Sequence, residues 1–169
     1  MENIKNKLLE ITSLAADYCR ALENCREMEP EEFLDEMLSK LPRIYLEFNN
    51  LRPSDMVSLN PGNEYFSSYV DEDYYDSIRR NIEMLLGPSD TYLETFEEDM
   101  KYSDTPIAAS ISENLADIFQ PLFNFISIVK DTDGEAAEDA YVDCWDNFAG
   151  YWSQTLCNVL RALNHIKYS

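Results

Sequence analysis

Apolar residues recur along the first stretch of the chain at Ile4, Leu8, Ile11, Ala15, Tyr18, Leu22 and Cys25, in alternating steps of four and three. That spacing keeps them on one stripe of an α-helix and predicts a first helix over about residues 2–26. The segment MEPEE follows, with Pro30 where a first-turn proline is tolerated and Glu31 and Glu32 near the positive end of a helix dipole. A second helix is predicted from there, with Leu34, Met37, Leu41, Ile44, Tyr45 and Phe48 facing inward, and with a kink or break at Pro42, which lacks a backbone donor. NLRPSDMVSLNPGNE, residues 50–64, carries two prolines and a Pro-Gly pair and reads as a long irregular connection.

The stretch YFSSYVDEDYYDS at 65–77 holds five aromatic rings and four acids with no basic residue. Much of it is helix-start chemistry. With Asp71 as N-cap, Glu72 and Asp73 fall in the first turn, and Val70 can staple onto Tyr75. Tyr75, Ile78, Ile82 and Leu85 continue a buried stripe until Gly87-Pro88 ends it. Thr91 and Glu94 have capping-box spacing, so PSDTYLETFEEDM is expected to be a short helix or ordered loop. Beyond it, Thr105 is the expected N-cap of a long helix with Pro106 at its first position. Its inward stripe is Ile107, Ile111, Leu115, Ile118, Leu122, Phe125 and Val129, with a bend at Pro121. After a turn at 131–134, in which Thr132 and Glu135 form a capping box, the pattern Ala137, Tyr141, Cys144/Trp145, Phe148, Tyr151/Trp152, Leu156, Val159/Leu160, Leu163, Ile166 predicts one helix to the end of the chain. No run alternates with period two, and no hairpin turn joins strand-like segments. The expectation is an all-α, single-domain helical bundle over residues 1–169, with about five main helices and the last two long and antiparallel. Equal distances from the turn bring Asp117 to the level of Phe148 to Tyr151, where its carboxylate can accept from the Tyr151 hydroxyl.

Composition supports a folded core. The chain has 169 residues, of which 45% are hydrophobic, so its acids coat a packed domain rather than a disordered tail. Lys and Arg number 13 against 33 Asp and Glu, a net charge of −20 that repels phosphate backbones and anionic lipid. Direct nucleic-acid or membrane binding is therefore not expected. The N-terminal segment intersperses charges among its apolar residues, unlike a signal peptide, and nothing approaches the roughly 18 apolar residues of a membrane span. Cys19, Cys25, Cys144 and Cys157 form no CxxC pair and read as reduced thiols, which points to the cytoplasm.

Candidate chemistry is sparse. The sole histidine, His165, lies eight residues from Cys157, about 12 Å along a helix, which is too far for a dyad within it. One histidine cannot supply paired Glu-x-x-His motifs, and Gly134 is misplaced for a calcium loop starting at Asp131. The four glycines are scattered, so phosphate-cradling loops are absent. No catalytic residue, cofactor or dedicated metal ligand is assigned, although carboxylates converging between helices could still make a metal-dependent enzyme. Trp152, with Tyr141, Trp145 and Phe148, reads as core. Tyr65, Phe66, Tyr69 and Tyr74 cannot all join the helix-start packing and are candidates for a partner surface. Seven acids between Asp131 and Asp146 occur without a Lys or Arg. Among them, Asp139, Asp143 and Asp146 are candidates to meet a basic partner.

The order of YVDEDYYDSIRRNIEMLLGPSDTYLETFEEDM, ENLADIF and an aromatic-rich final helix ending YWSQTLCNVLRALNHI resembles a bacterial family of small helical proteins classified only as a domain of unknown function. The family's His-Trp-Gly triplet is matched by Tyr151-Trp152-Ser153. Its terminal Leu-His is matched by Leu163-Asn164, with His165 one place later. The resemblance implies the helical fold, no known activity, and a ribonuclease-like exonuclease as a partner. Together these readings favour a non-enzymatic protein–protein interaction module. The alternatives are an acidic regulator occupying the basic groove of a nucleic-acid-processing enzyme such as an exonuclease, and a carboxylate-based enzyme.

Overall fold

The computed structural model describes residues 3–56, 68–93 and 108–169. Within them six α-helical segments and one small sheet follow in order: α1 (Ile4–Glu23), α2 (Pro30–Asn50), α3 (Glu72–Leu86), strands β1 (Thr91–Leu93) and β2 (Ala108–Ser110), α4 (Ile111–Asp131), α5 (Ala137–Asn147) and α6 (Ser153–Tyr168). The architecture is an all-α bundle. α1 packs on α2, α2 on α6, α6 on α4 and α4 on α1, closing a four-sided ring, and α3 adds to the outer side of α4. α4 packs against four helices, α1, α3, α5 and α6, which explains why its stripe is so deeply buried. Ile111, Leu115, Ile118, Phe119 and Leu122 are fully enclosed.

Each helix begins where local chemistry allows. Asn3 caps α1 by accepting from the Lys5 amide, and Asp71 caps α3 by accepting from the Tyr74 amide at 2.7 Å. Pro30 opens α2 with Glu31 and Glu32 in its first turn. Both internal prolines sit in unbroken helices. At Pro42 the missing donor lies on an exposed side, where water can serve the freed carbonyl while Leu41 and Ile44 stay in the core. Gly87 ends α3 with φ of +57°, a region glycine enters without a side-chain penalty.

Several expectations need correction, and Tyr45 and Tyr151, which spacing places on inward stripes, are exposed. Among the described residues, the segment from Gly87 forms only a short 3₁₀ turn over Gly87–Asp90. Thr91, the proposed capping residue, begins a strand instead, and β1 pairs antiparallel with β2, Thr91 opposite Ser110 and Leu93 opposite Ala108. Strands of three residues carry no readable period. For the same reason α4 starts at Ile111, capped by Ser110, while Thr105, Pro106 and Glu94 lie outside the described residues. Finally, the last long helix contains a π-turn at Phe148–Trp152 between α5 and α6.

The turn between α4 and α5 also differs in detail. Thr132 Oγ1 donates to the Ile128 carbonyl and accepts from the Ala136 amide, so the amide it serves is one residue beyond Glu135. Asp133 and Gly134 take positive φ there, +49° and +85°. The hairpin then lays α5 and α6 along α4. Deep phenols find carbonyls across the core: Tyr18 donates to Leu115 at 2.7 Å, and Tyr141 donates to Leu51. Trp152 is wholly buried between Phe48 and Phe148, with ring centroids 4.9 and 4.7 Å away. Its Nε1 has no acceptor among the described residues. Trp145 is only half-buried and donates its Nε1 to the Phe48 carbonyl at 3.1 Å.

Candidate functional site

Tyrosine hydroxyls tie the α3 side of the bundle to acids of other elements. The Tyr69 amide donates to Asn124, and its hydroxyl donates to Asp131 at 2.6 Å. Tyr74 packs edge-on against Phe119 and Phe123 while its hydroxyl donates to Glu23 at 2.7 Å. Tyr75 and Tyr151 both donate to Asp117, at 2.6 Å on Oδ1 and 3.1 Å on Oδ2. Phenols donating to carboxylates stay protonated. Burial, then the Asp117 bond, pushes the Tyr75 phenol well above its usual range, and burial followed by the Glu23 bond does the same for Tyr74. For Tyr69 the bond to Asp131 is the leading cause of an upward shift. The Tyr69 and Tyr74 hydroxyls are therefore committed to acids, and both side chains are half-buried. Tyr65 and Phe66 lie outside the described residues.

The thiols are placed differently from what nucleophilic chemistry uses. Cys19 and Cys144 are buried, and burial pushes both well up from the ordinary thiol range. Burial pushes the Cys25 thiol up to about 11. Cys157 is exposed on α6. Among the described residues, no group of three or more His, Cys, Asp and Glu is arranged to hold a metal ion.

The acids of α5 meet a concave surface. Asp139, Asp143 and Asp146 fall four and three residues apart, on one side of the helix, with Asp143 and Asp146 exposed and Asp139 half-buried. Burial, then the neighbouring Asp146 charge, raises the Asp143 carboxyl. Beside Asp139 runs a groove of about 390 Å³ between the N-terminal part of α1 and the start of α5. Among the described residues, Leu8, Leu9, Val129 and Ala137 form its apolar lining, while Glu135, Glu138 and Asp139 supply three carboxylates against one cation, Lys5. Leu9 is 61% exposed, which leaves its side chain open to the groove's mouth as Leu46 and Leu93 are open elsewhere on the surface. Apolar lining with carboxylates at the edge can hold a segment that is basic on one face and apolar on the other. Sequence reading isolates Asp139 but misses the groove, because Leu8 and Leu9 come to it only through packing of α1 beside the α4–α5 turn. The one sequence-level sign is that Leu9 lies off the α1 stripe yet is apolar.

No helix among the described residues is long and apolar enough to cross a membrane. Residues 2–169 match the family model described as Domain of unknown function (DUF5063). The crystal structure of protein BF1032 from Bacteroides fragilis is similar, with 31% sequence identity and a TM-score of 0.80 over 96% of this chain and 93% of that chain. No curated protein matches the sequence.

Proposed function

The chain belongs to the DUF5063 family, and we propose that it is a cytoplasmic, non-enzymatic protein–protein interaction module that receives a basic amphipathic segment of a partner. The observation that carries this reading is the groove between α1 and α5, whose apolar lining and exposed Leu9 adjoin Glu135, Glu138 and Asp139. Asp143 and Asp146 extend the same charge along α5. A partner's apolar side chains would cover Leu8 and Leu9, and its cations would meet the carboxylate rim. Long-range attraction from a net charge of −20 would speed the encounter more than it would set the final affinity. The half-buried side chains of Tyr69 and Tyr74 are a secondary contact region on another side of the bundle. A basic groove that otherwise holds nucleic acid presents the same chemistry, so an exonuclease of that kind would lose substrate binding when this module occupies it.

The test uses a synthetic amphipathic peptide of Lys and Leu at helical spacing, titrated against the protein and two variants. Any cationic peptide is drawn to so acidic a surface, so Leu9→Ser is the decisive variant. Both Leu9→Ser and the triple Asp139→Asn, Asp143→Asn, Asp146→Asn variant should bind more weakly. Only the triple variant should have a flatter salt dependence. Binding that ignores Leu9 and vanishes in moderate salt would mean charge attraction without a docking groove, and the reading would fail.

A further inference from the structure

Among the described residues, the two walls of the α1–α5 groove carry opposite charge. Lys5 stands on the α1 wall, four residues before Leu9 and seven before Thr12, and so on one face of the helix with them. It is exposed and forms no ion pair with a described residue. Glu135, just before α5, and Glu138, in its first turn, stand on the other wall and are likewise unpaired among the described residues. Charges of opposite sign that line one groove without pairing are both left to solvent. Each stays available to a group of opposite sign that an occupant brings in.

The backbone of the occupant is constrained as well. Both walls are helices, whose main-chain groups bond within the helix, so the groove gives an extended strand no ladder to join. Thr12 spends its hydroxyl proton on the Leu8 carbonyl at 2.6 Å. A helix, by contrast, arrives with its backbone satisfied and needs only a side-chain face. From Lys5 to Thr12 the wall rises by seven residues, about 10 Å, which two turns of a docked helix match.

We infer that the segment this groove receives is a two-turn stretch of helix with three chemistries in order around it: an acid on the flank that meets Lys5, apolar residues toward Leu8 and Leu9, and bases on the flank that meets Glu135 and Glu138. The inference rests on the reading of the groove as an interaction site and names the partner within it. A uniformly basic surface, of the kind that holds nucleic acid, would set a cation against Lys5. A protein helix with a mixed-charge rim avoids that repulsion. The acid is also what separates recognition from attraction, because a net charge of −20 draws any cation from a distance, whereas an acid is drawn only by a local cation.

Two fluorescently labelled helical peptides of equal length, titrated with the full chain and read by anisotropy, test this. Both carry Leu at helical spacing. One has Lys on both flanks, and the other has Lys on one flank and Glu on the other. Salt of about 0.15 M, where the Debye length is about 8 Å, damps the general attraction. The readout is the affinity of the mixed peptide relative to the all-Lys peptide. Lys5→Glu should lower that ratio about fivefold, through loss of one exposed pair and the repulsion that replaces it. Glutamate is favoured in the first turn of α1, so this variant keeps the fold. Arg43→Glu makes the same charge change at an exposed position of α2 and should leave the ratio unchanged. A ratio that ignores Lys5→Glu, or that moves equally with Arg43→Glu, overturns the inference, and the groove reading survives it if Leu9→Ser still weakens both peptides. Peptides that fail to bind, or that ignore Leu9→Ser, overturn the groove reading and this inference together.

Discussion

Replacing Asp90 by Ala should destabilise the protein by about 3 to 4 kcal/mol, a large share of the roughly 5 to 15 kcal/mol that holds a domain of this size. Asp90 is the one carboxylate buried in the described residues, 5% exposed at the end of the turn that follows α3. Its Oδ1 accepts from the Ser112 amide at 2.7 Å and its Oδ2 from the Ser112 hydroxyl at 2.6 Å. Ser112 sits in the first turn of α4, where backbone donors have no partner inside the helix. Removing the carboxylate strands a buried amide, at about 1.5 to 2 kcal/mol, and a hydroxyl, at about 1 kcal/mol because it can still reach Ser110. Losing negative charge at the helix N-terminus adds about 0.5 to 1 kcal/mol. Asp90→Asn retains one acceptor and should cost only about 1 to 1.5 kcal/mol. Urea unfolding with an unchanged slope measures both values. A double-mutant cycle with Ser112→Ala isolates the hydroxyl bond, and the cost of Asp90→Asn should fall by about 1 kcal/mol in that background. An Asp90→Ala cost below about 1 kcal/mol, or equal costs for Ala and Asn, would refute the argument.

Two further outcomes follow from the core and the acidic face. Trp152→Ala should cost about 3 to 5 kcal/mol in urea unfolding, whereas Trp152→Phe should cost under half of that, because it keeps ring contacts with Phe48 and Phe148 and removes an indole N–H that has no acceptor among the described residues. Asp143→Asn should stabilise slightly, within about 0.5 kcal/mol, at neutral pH. A carboxyl raised above its ordinary 3.8 disfavours the fold as it ionises, so the gain should grow as pH rises from 3.8 through the raised value and vanish below 3.8, read from unfolding midpoints across that range.

The helices were legible because burial on one side writes a period of 3.6 residues into each segment, and the Asp71 cap was legible because its chemistry is local. What escaped depends on partners far apart in sequence. β1 and β2 are three residues each and gain meaning only from pairing across the intervening segment. Pairing also moved the start of α4 from the vicinity of Thr105 to Ile111, since Ala108–Ser110 is extended. Tyr75 reads as a stripe residue from spacing alone, yet its hydroxyl shares Asp117 with Tyr151. At the candidate interface, Asp139, Asp143 and Asp146 can be read as one face of a helix. Leu8 and Leu9 of the apolar lining beside them come from α1, more than a hundred residues earlier, and no pattern within α5 announces them. The π-turn did leave a trace, because Cys144, Phe148, Trp152 and Leu156 are all buried at successive steps of four. A regular α-helix would drift by about 40° at each such step, which a wider turn absorbs.

That wider turn makes the last helix tolerant of a change in length at one place only. A π-turn is an α-helix carrying one surplus residue, so losing Gly150, which touches nothing where a side chain would stand, returns the backbone to regular winding with both flanks still seated on α4. The same loss at Val159, inside α6, would swing every later residue by about 100° and turn Ala162 and Leu163 out of the core. Relatives of different length in this region are thus expected to gain or lose their residue within Phe148–Trp152, which makes alignment gaps there conservative and gaps elsewhere in the helix disruptive.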